Sequence, residues 1–277
     1  MYNPAFNLAR EEIFCDLCAL SKFEGCFFLW QNEPAVILGR FNNIYDEIDI
    51  NFARGNNIKI VRRNSGGGAV YHDLGNVNYS FILHDRKIYN LKFFADIIIN
   101  SLVKIGINGT LEFNHNDLLV NNYKFSGMAQ FHRNNILLHH GTLLFDSDLR
   151  VIHKVLRRSD PAKKVVNLKN FLKRDINIRE FMTLLCDIIC GQESLKFFSQ
   201  YDTSSNISRD NLLPDKNLRY SSGISQDIFK REYIKFFAGD NIDLSEINNN
   251  INKLMLAKYL DSNWTLKGEY NNARIQE

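Results

Sequence analysis

Three consecutive glycines stand between two short extended segments, and this feature limits the possible folds more than any other in the chain. Gly66, Gly67 and Gly68 lack Cβ atoms, so their backbone can take positive φ and its N–H groups can approach a ligand closely. The apolar segments 58–62 and 69–71 on either side are typical of β-strands. The spacing is neither GxxxxGK[ST] nor GxGxxG, so it favours neither the P-loop nor the Rossmann fold.

The periodicity of the apolar residues predicts an α+β protein, with a mixed β-sheet flanked by helices. The first two strands are expected to form a hairpin, and Asn121 and Asn122 a tight turn. In chain order we expect a helix over 4–20, strands over 26–30, 35–38, 58–62, 69–71 and 77–83, a helix over 89–102, strands over 118–120, 124–130 and 136–145, and helices over 149–156 and 178–198.

The predicted domains are a catalytic domain over 1–198, a linker over 199–217 and a small C-terminal accessory domain over 218–277. The linker is polar and lacks periodicity. A length of 277 residues with 45% hydrophobic content is enough for one large core and a small appendage. The sequence has no apolar run approaching the roughly 18 residues of a membrane span. We therefore expect a protein without a membrane partner, located in the cytoplasm or, if a presequence was removed, in an organelle.

Net charge and cysteine content argue against two further classes, nucleic-acid-binding proteins and disulfide-rich proteins. A net charge of +3 is too small to indicate a nucleic-acid partner. Five cysteines, an odd number without a repeating spacing, argue against a disulfide framework and for a reducing compartment. Cys15 and Cys18 could form a metal or redox pair, but they lie in an apolar helical run, so we favour core packing. The same reading holds for Cys186 and Cys190.

Cationic and small side chains are concentrated in three segments. Arg62 and Arg63 precede the glycines and could fork onto phosphate oxygens, although a glycine hairpin with solvated arginines is an alternative. Lys124 starts a strand that continues with Ser126 and Gly127, so its ammonium could lie between a carboxylate and a phosphate. The third segment contains His139 and His140, which point to opposite faces of a strand and are poorly placed to share a metal.

These three segments, in this order, resemble the biotin/lipoate ligase superfamily and specifically the lipoate-protein ligase A family. The likeness covers about residues 3 to 150. It rests on the three segments Arg62–Asp73, Asn116–Val120 with Lys124–Gln130, and His139–Leu144. It also rests on the first residues, Asn3–Glu12, and on Trp30–Asn32 with Gly39–Asn43. The resemblance implies lipoate lying along the glycine loop and a reaction in two halves through lipoyl-adenylate.

By motif position the resemblance assigns residues to each substrate. Lys124 would be the catalytic residue, touching both nucleotide and lipoate carboxylate. Asp117 would help to hold Mg²⁺, although a buried hydrogen-bonded aspartate at a turn is an equal alternative. The nucleotide-binding residues would be Arg63, Gly68, Ala69, Val70, Tyr71 and Lys124, and the lipoate-binding residues Gly66, Gly67, Gly68, Lys124, Ser126, Gly127, His140 and Gly141.

The resemblance also implies substrates and partners. ATP with Mg²⁺ and lipoic acid would be the substrates, with no bound prosthetic group. The acceptors would be lipoyl-carrier domains, such as dehydrogenase E2 subunits or the glycine cleavage H protein. Two segments depart from the family pattern: 159–168 is short for the loop that covers the adenylate, and 218–223 lacks a tryptophan. These departures affect the expected closure of the protein over the adenylate.

Three other functions fit the sequence less well. The resemblance implies that a lipoyl or octanoyl transferase with a thioester intermediate places its cysteine just before the lysine motif or just before the His-Gly element, and segments 111–117 and 133–138 have no cysteine. A transferase that accepts only preformed lipoyl-adenylate stays open. A non-catalytic module that binds lipoyl domains or RNA is disfavoured by Lys124 and the complete glycine loop, and a biotin ligase by the uninterrupted glycine run.

Overall fold

The computed structural model of the chain describes residues 2–85, 90–157, 164–191, 233–239 and 244–268, and every structural statement below concerns these residues. Eight helices and ten strands lie within them. The helices are α1 (Pro4–Ala19), α2 (Ile44–Glu47), α3 (Ile50–Gly55), α4 (Leu91–Ile105), α5 (Leu149–Val155), α6 (Ile178–Gly191), α7 (Leu244–Leu254) and α8 (Ser262–Lys267), with a 3-10 turn at Leu168–Phe171 and a π-helical turn at Met255–Tyr259.

The strands form two sheets. Their bounds are β1 (Phe23–Trp30), β2 (Ala35–Leu38), β3 (Lys59–Arg62), β4 (Val70–His72), β5 (Asn76–His84), β6 (Leu111–Asn114), β7 (Asp117–Val120), β8 (Tyr123–Arg133), β9 (Ile136–Leu144) and β10 (Tyr233–Gly239). The large sheet has the order β10-β1-β5-β9-β8-β7-β6, and every neighbouring pair in it is antiparallel. The small sheet has the order β3-β2-β4, with β2 parallel to β3 and antiparallel to β4.

Helices cover both faces of the large sheet. One face packs with α4 and α6 in a core that includes Phe81, Phe94 and Phe181. The other packs with α1 and the 247–264 region in a second core that includes Phe14, Phe28 and Trp264. This arrangement confirms the predicted fold class, an α+β protein with a sheet flanked by helices.

Local sequence explains where the principal helices begin and end. The Asn3 side chain caps α1 by accepting from Ala5 N at 2.9 Å, and Pro4 occupies the first turn, where no N–H is needed. Gly106 ends α4 with a φ of 101°, the left-handed conformation expected of a glycine after a helix. The predicted tight turn is confirmed, because Asn121 and Asn122 both have positive φ.

The hairpin predicted over 26–38 is wrong. Both segments are strands, but β1 belongs to the large sheet and β2 to the small one. The connection between them is held by α1, since Asn7 Nδ2 donates to Gln31 O at 3.0 Å and to Asn32 Oδ1 at 2.8 Å. These bonds fix the turn where the chain leaves one sheet for the other.

Several short elements were not predicted. Helices α2 and α3 and strand β6 are four to six residues long, too short to show a clear period. The predicted series of elements lacks these three for this reason. The helix predicted over 178–198 is described from Ile178 to Gly191, and its last part lies outside the described residues.

The described parts of the C-terminal region join the rest of the protein. Strand β10 pairs with β1 at the edge of the large sheet, and 247–264 packs against α1. The predicted linker over 199–217 lies outside the described residues, so the division into domains stays a prediction. The same holds for 218–223 and for most of the segment 159–168. None of the helices in the described part of the chain is long and apolar enough to cross a membrane.

Candidate active site

The glycine loop connects the two outer strands of the small sheet, as predicted, and Arg63 is enclosed by it. The Arg63 guanidinium donates to Gly66 O at 2.6 Å, Gly68 O at 2.9 Å and Ile37 O at 3.0 Å. Burial lowers the pKa of Arg63 to about 10, so the side chain is still charged near neutral pH. Arg63 therefore shapes the loop, and its predicted contact with nucleotide phosphate stays a prediction.

Two neighbouring elements fix the loop from outside. A Cβ on Gly39 would lie 1.9 Å from Gly67 O, so only glycine lets the two backbones approach this closely. Glu47, at the end of α2, accepts from Ala69 N at 2.9 Å and from Asn42 Nδ2 at 2.9 Å. Gly67 itself has a φ of 89°, which a branched residue adopts only with strain.

A buried hydrogen-bonded chain joins the glycine loop to the large sheet. Ser65 Oγ lies 2.6 Å from His140 Nε2, and His140 Nδ1 lies 2.9 Å from a Glu11 oxygen. Because a carboxylate only accepts, Nδ1 carries a proton, and in the neutral imidazole Nε2 then accepts from the Ser65 hydroxyl. Ser80 Oγ also donates to Glu11 at 2.6 Å. His140 thus holds Ser65 in place, a contact the sequence did not predict.

Lys124 lies over Gly127 on the same sheet. Its Nζ is 2.7 Å from Asp117 Oδ1, and it would be 3.4 Å from a Cβ built on Gly127. The Lys124 side chain is 29% exposed and that of Asp117 only 5%. A nearly buried carboxylate therefore holds a lysine whose side chain is still partly accessible to a ligand. A lysine ammonium can donate three hydrogen bonds. Lys124 can therefore meet an anionic substrate while Asp117 keeps it in place.

Lys124 and the glycine loop lie on one face of the large sheet, because a register shift in the β7–β8 pairing between Leu118 and Leu119 offsets the normal alternation and brings Lys124 to the face of Gly127. Gly127 and Ala129 are two positions apart and share a face, and Ala129 pairs directly with His140 on β9. His140 carries the contact to Ser65, and Gly127 N donates to Thr142 Oγ1 at 3.2 Å on the same strand. The face between the glycine loop and Lys124 is thus lined by small and polar residues.

The other predicted binding residues differ in how deeply they are buried in the protein. Val70 and Tyr71 pack against different cores, so a ligand contacting both would meet their backbone. A Cβ on Gly141 would lie 2.4 Å from the Tyr79 hydroxyl oxygen, so that glycine makes room for Tyr79. Ser126 is buried. The lipoate contacts of Ser126 and Gly141 stay predictions.

Glu11 and Glu47 are the main site residues that the sequence analysis did not single out for a role. Glu11 is four positions after Asn7, on the buried face of α1, and both are at most 3% exposed. Two polar residues one turn apart within an apolar stripe are a signal that could have been read, because buried carboxylates need partners. Glu47 gave no such signal, since α2 is only four residues long.

The structure also bears on the predicted metal. Asp117 Oδ1 is in an ion pair with Lys124, and no cluster of three or more metal-binding side chains occurs among the residues described. Mg²⁺ bound with nucleotide usually takes one or two carboxylates and completes its shell with phosphate and water. Asp117 fits that donor chemistry, but a metal would compete with the Lys124 ammonium. Mg²⁺ at Asp117 stays a prediction.

The buried histidines predict how stability depends on pH. Burial, with the nearby Arg63 and His140, lowers the pKa of His72 to about 3, and burial also lowers the pKa of His139, which stacks on Phe94. The unfolded chain, with histidine pKa near 6.5, then binds more protons than the folded one. The free energy of unfolding should fall below about pH 6.5, by up to about 1.4 kcal/mol per pH unit for each histidine.

Urea unfolding of His139→Phe at several pH values checks this expectation. The variant should lose less stability on acidification than the wild type. Its slope of the free energy of unfolding against pH should be smaller by the contribution of about one proton. The exposed His153 provides a matched control, and His153→Asn should follow the wild-type curve. An unchanged slope for His139→Phe would contradict the expectation.

Comparison with solved structures identifies the class of fold. A bi-partite lipoate protein ligase from Thermoplasma acidophilum, solved as part of a system with its E2 lipoyl domain, superposes with a TM-score of 0.70 at 21% identity, covering 98% of this chain and 95% of that one. A lipoate-protein ligase A bound with ATP superposes with a TM-score of 0.69 at 22% identity, covering 95% and 94%. At these identities the likeness shows the fold: that of the lipoate ligases.

The sequence comparison then gives the family. The model described as the lipoyl protein ligase A/B catalytic domain matches residues 3–189, so this chain belongs to that family, and the resemblance seen in the sequence is confirmed. Lipoate-protein ligase 1 of Staphylococcus aureus is 34% identical over 213 residues, which cover 72% of this chain and 64% of that protein. The chain thus spans less than two thirds of the length of this relative.

Proposed function

We propose that this protein is an ATP-dependent lipoate-protein ligase. It joins the lipoate carboxylate to the α-phosphate of ATP, releasing pyrophosphate, and then transfers the lipoyl group from the adenylate to a lysine of a carrier domain, releasing AMP. The observation that carries the proposal is Lys124, held by Asp117 beside Gly127 on the sheet face that also meets the glycine loop. The family membership and the ATP-bound relative support it.

The charge distribution fits the first half-reaction. Attack of a carboxylate on a phosphate brings two anions together, so a fixed cation between them lowers the barrier. The Lys124 ammonium is positioned by Asp117 before substrate binds, which avoids reorganisation during the reaction. The glycine loop offers backbone N–H groups without side chains in front of them, which suits close approach of phosphate or of the lipoyl chain.

We further propose carrier domains as the partners, of the kind found in E2 subunits and the glycine cleavage H protein. The relative from Thermoplasma acidophilum was solved within a system that includes an E2 lipoyl domain, which supports this class of acceptor. Mg²⁺ would accompany ATP and supply charge neutralisation at its phosphates. We propose a cytoplasmic location, and neither nucleic acid nor a membrane as partner.

Transfer to a purified carrier domain, followed by intact mass, tests the function. With ATP, Mg²⁺ and lipoate, we expect the carrier to gain one lipoyl group, and without ATP no gain. Synthetic lipoyl-adenylate should replace ATP and lipoate together. Modification with the adenylate alone would indicate a transferase that lacks the first half-reaction, and no modification under either condition would contradict the proposal.

The cysteines give a separate prediction about mechanism. Cys15, Cys18 and Cys26 are buried, and burial raises the pKa of each thiol, to about 12 for Cys18. Thiolates are the reactive form, so these three are poor nucleophiles. Cys186 and Cys190 lie on α6, in the core on the opposite face from His140. A variant without cysteines should therefore keep its catalytic activity, although it should be less stable. Intact mass of the wild type should show no acyl-enzyme. A trapped thioester would overturn the ligase mechanism.

A further inference from the structure

The residues on both sides of Arg63 are bound by the C-terminal segment 255–268. Arg62, which is 1% exposed, donates from Nε to Trp264 O and Thr265 O, both at 3.0 Å, and from Nη2 to Leu266 O at 3.1 Å. These are carbonyls of α8, at whose C-terminal end a cation is favourable. In return Trp264 Nε1 donates to Arg62 O at 2.8 Å.

The same guanidinium reaches the loop that backs the glycines. Arg62 Nη1 donates to Gly39 O at 2.8 Å, Arg40 O at 3.0 Å and Asn42 O at 2.8 Å. Gly39 is the residue in close contact with Gly67 O, and Asn42 donates to Glu47, which binds Ala69 N. Arg62 therefore ties the C-terminal segment to both supports of the glycine loop.

On the other side of Arg63, Asn64 is bound into a buried charged cluster. Lys258 Nζ donates to Asn64 Oδ1 at 2.9 Å and to the two Glu12 oxygens at 2.8 and 3.0 Å. The Tyr259 hydroxyl donates to Glu12 at 2.8 Å, and Asn64 Nδ2 lies 3.0 Å from that hydroxyl oxygen. The side chains of Lys258 and Glu12 are 5% and 9% exposed.

The charges in this cluster are matched, which makes it sensitive to substitution. Glu12 lies between Lys258 and Arg133, and Arg133 also contacts Asp16 on α1. Removing Lys258 takes away the nearer cation of the Glu12 carboxylate, at 2.8 Å against 3.3 Å for Arg133, and breaking such a buried pair is strongly unfavourable. Asn64 would then lose a charged donor next to the loop.

We infer that Lys258 is a positioning residue for the glycine loop: acting through Asn64, with Arg62 as a second anchor, it makes the segment 255–268 part of the substrate site. Lys258 acts on the loop and not on substrate. The inference rests on the proposed function for its kinetic consequences only, since the loop contacts are independent of the reaction.

The test compares Lys258→Met with Lys253→Met, a control on the same C-terminal helical region whose lysine is exposed. We expect Lys258→Met to raise KM for lipoate and ATP at least about tenfold, given the cost of breaking a buried pair. KM for the carrier domain should be unchanged. In hydrogen exchange, amides of 63–70 should exchange at least about tenfold faster while those of β5 and β9 keep their protection. The control should match the wild type in both.

The other possible outcomes would each support or overturn the inference. Wild-type KM values and wild-type exchange at 63–70 in Lys258→Met would overturn it, as would faster exchange spread evenly over the whole protein. Should Lys258→Met fail to fold, Tyr259→Phe removes only the bridging hydroxyl and must show the same local effect in smaller degree. An inactive wild type would refute the proposed function, and exchange at 63–70 would still decide the role of Lys258.

Discussion

Lys124→Ala should reduce kcat for ATP-dependent lipoylation by about 10²- to 10³-fold, the usual cost of removing a preorganised electrostatic group. The loss should come from the transition state, because the proposed function places the ammonium between the lipoate carboxylate and the α-phosphate. Single-turnover formation of lipoyl-adenylate measures the step directly. The substitution also removes the ion-pair partner of the nearly buried Asp117 carboxylate, so we expect some loss of stability, which denaturant unfolding measures separately from kcat.

Three variants sharpen this expectation. Lys124→Arg should rescue poorly, since a planar guanidinium does not reproduce a compact ammonium held between two oxygens. Lys59→Ala is the matched control: it removes an exposed lysine that pairs with Glu33 at 2.6 Å and should leave kcat unchanged. Asp117→Asn should impair the reaction less than Lys124→Ala, because it leaves the cation in place. Near-normal activity of Lys124→Ala would refute the assignment.

Arg63→Ala should impair both half-reactions and also destabilise the fold by about 1 to 3 kcal/mol. The substitution leaves the buried Ile37 carbonyl without its charged donor, and an unsatisfied buried group costs roughly 1 to 3 kcal/mol, while the more exposed Gly66 and Gly68 carbonyls can turn to water. Denaturant unfolding and assays with ATP or with lipoyl-adenylate provide the measurements. The exposed Arg150, paired with Asp148, gives a matched control in Arg150→Ala.

The two assays separate two roles for Arg63. If it acts by shaping the loop, use of ATP and use of lipoyl-adenylate should fall by similar factors. If it acts by forking onto a phosphate of ATP, as its motif position implies, ATP use should fall more. A stable, fully active Arg63→Ala would exclude both roles.

Local sequence was sufficient for the parts of the site that lie on one segment. Three glycines between strands predicted the loop, and the lysine at the start of β8 predicted a cation on the sheet. The partners of these groups could not be predicted, because they come from distant parts of the chain. Glu11 and His140 are 129 positions apart, and Glu12 and Lys258 are 246 apart. Neither pair has a spacing that any local period would reveal.

The errors in the fold have the same physical origin. A short polar connection between two apolar runs favours a hairpin, but the pairing of β1 is decided by β5 and β10, which offer it two antiparallel partners. Strand β2 is left to pair with β3 and β4. Which strands pair is a property of the whole sheet, and local patterns do not contain it.

The pairing of β1 with β10 has a consequence for biosynthesis. About 200 residues separate the two strands, so β1 leaves the ribosome long before its outer partner is made. Until then one edge of an apolar strand, FEGCFFLW, is open to other chains, and such edges promote aggregation. Contacts this distant in sequence also slow folding. We expect nascent chains that stop before β10 to depend on chaperones and the full chain to be released from them once β10 has paired.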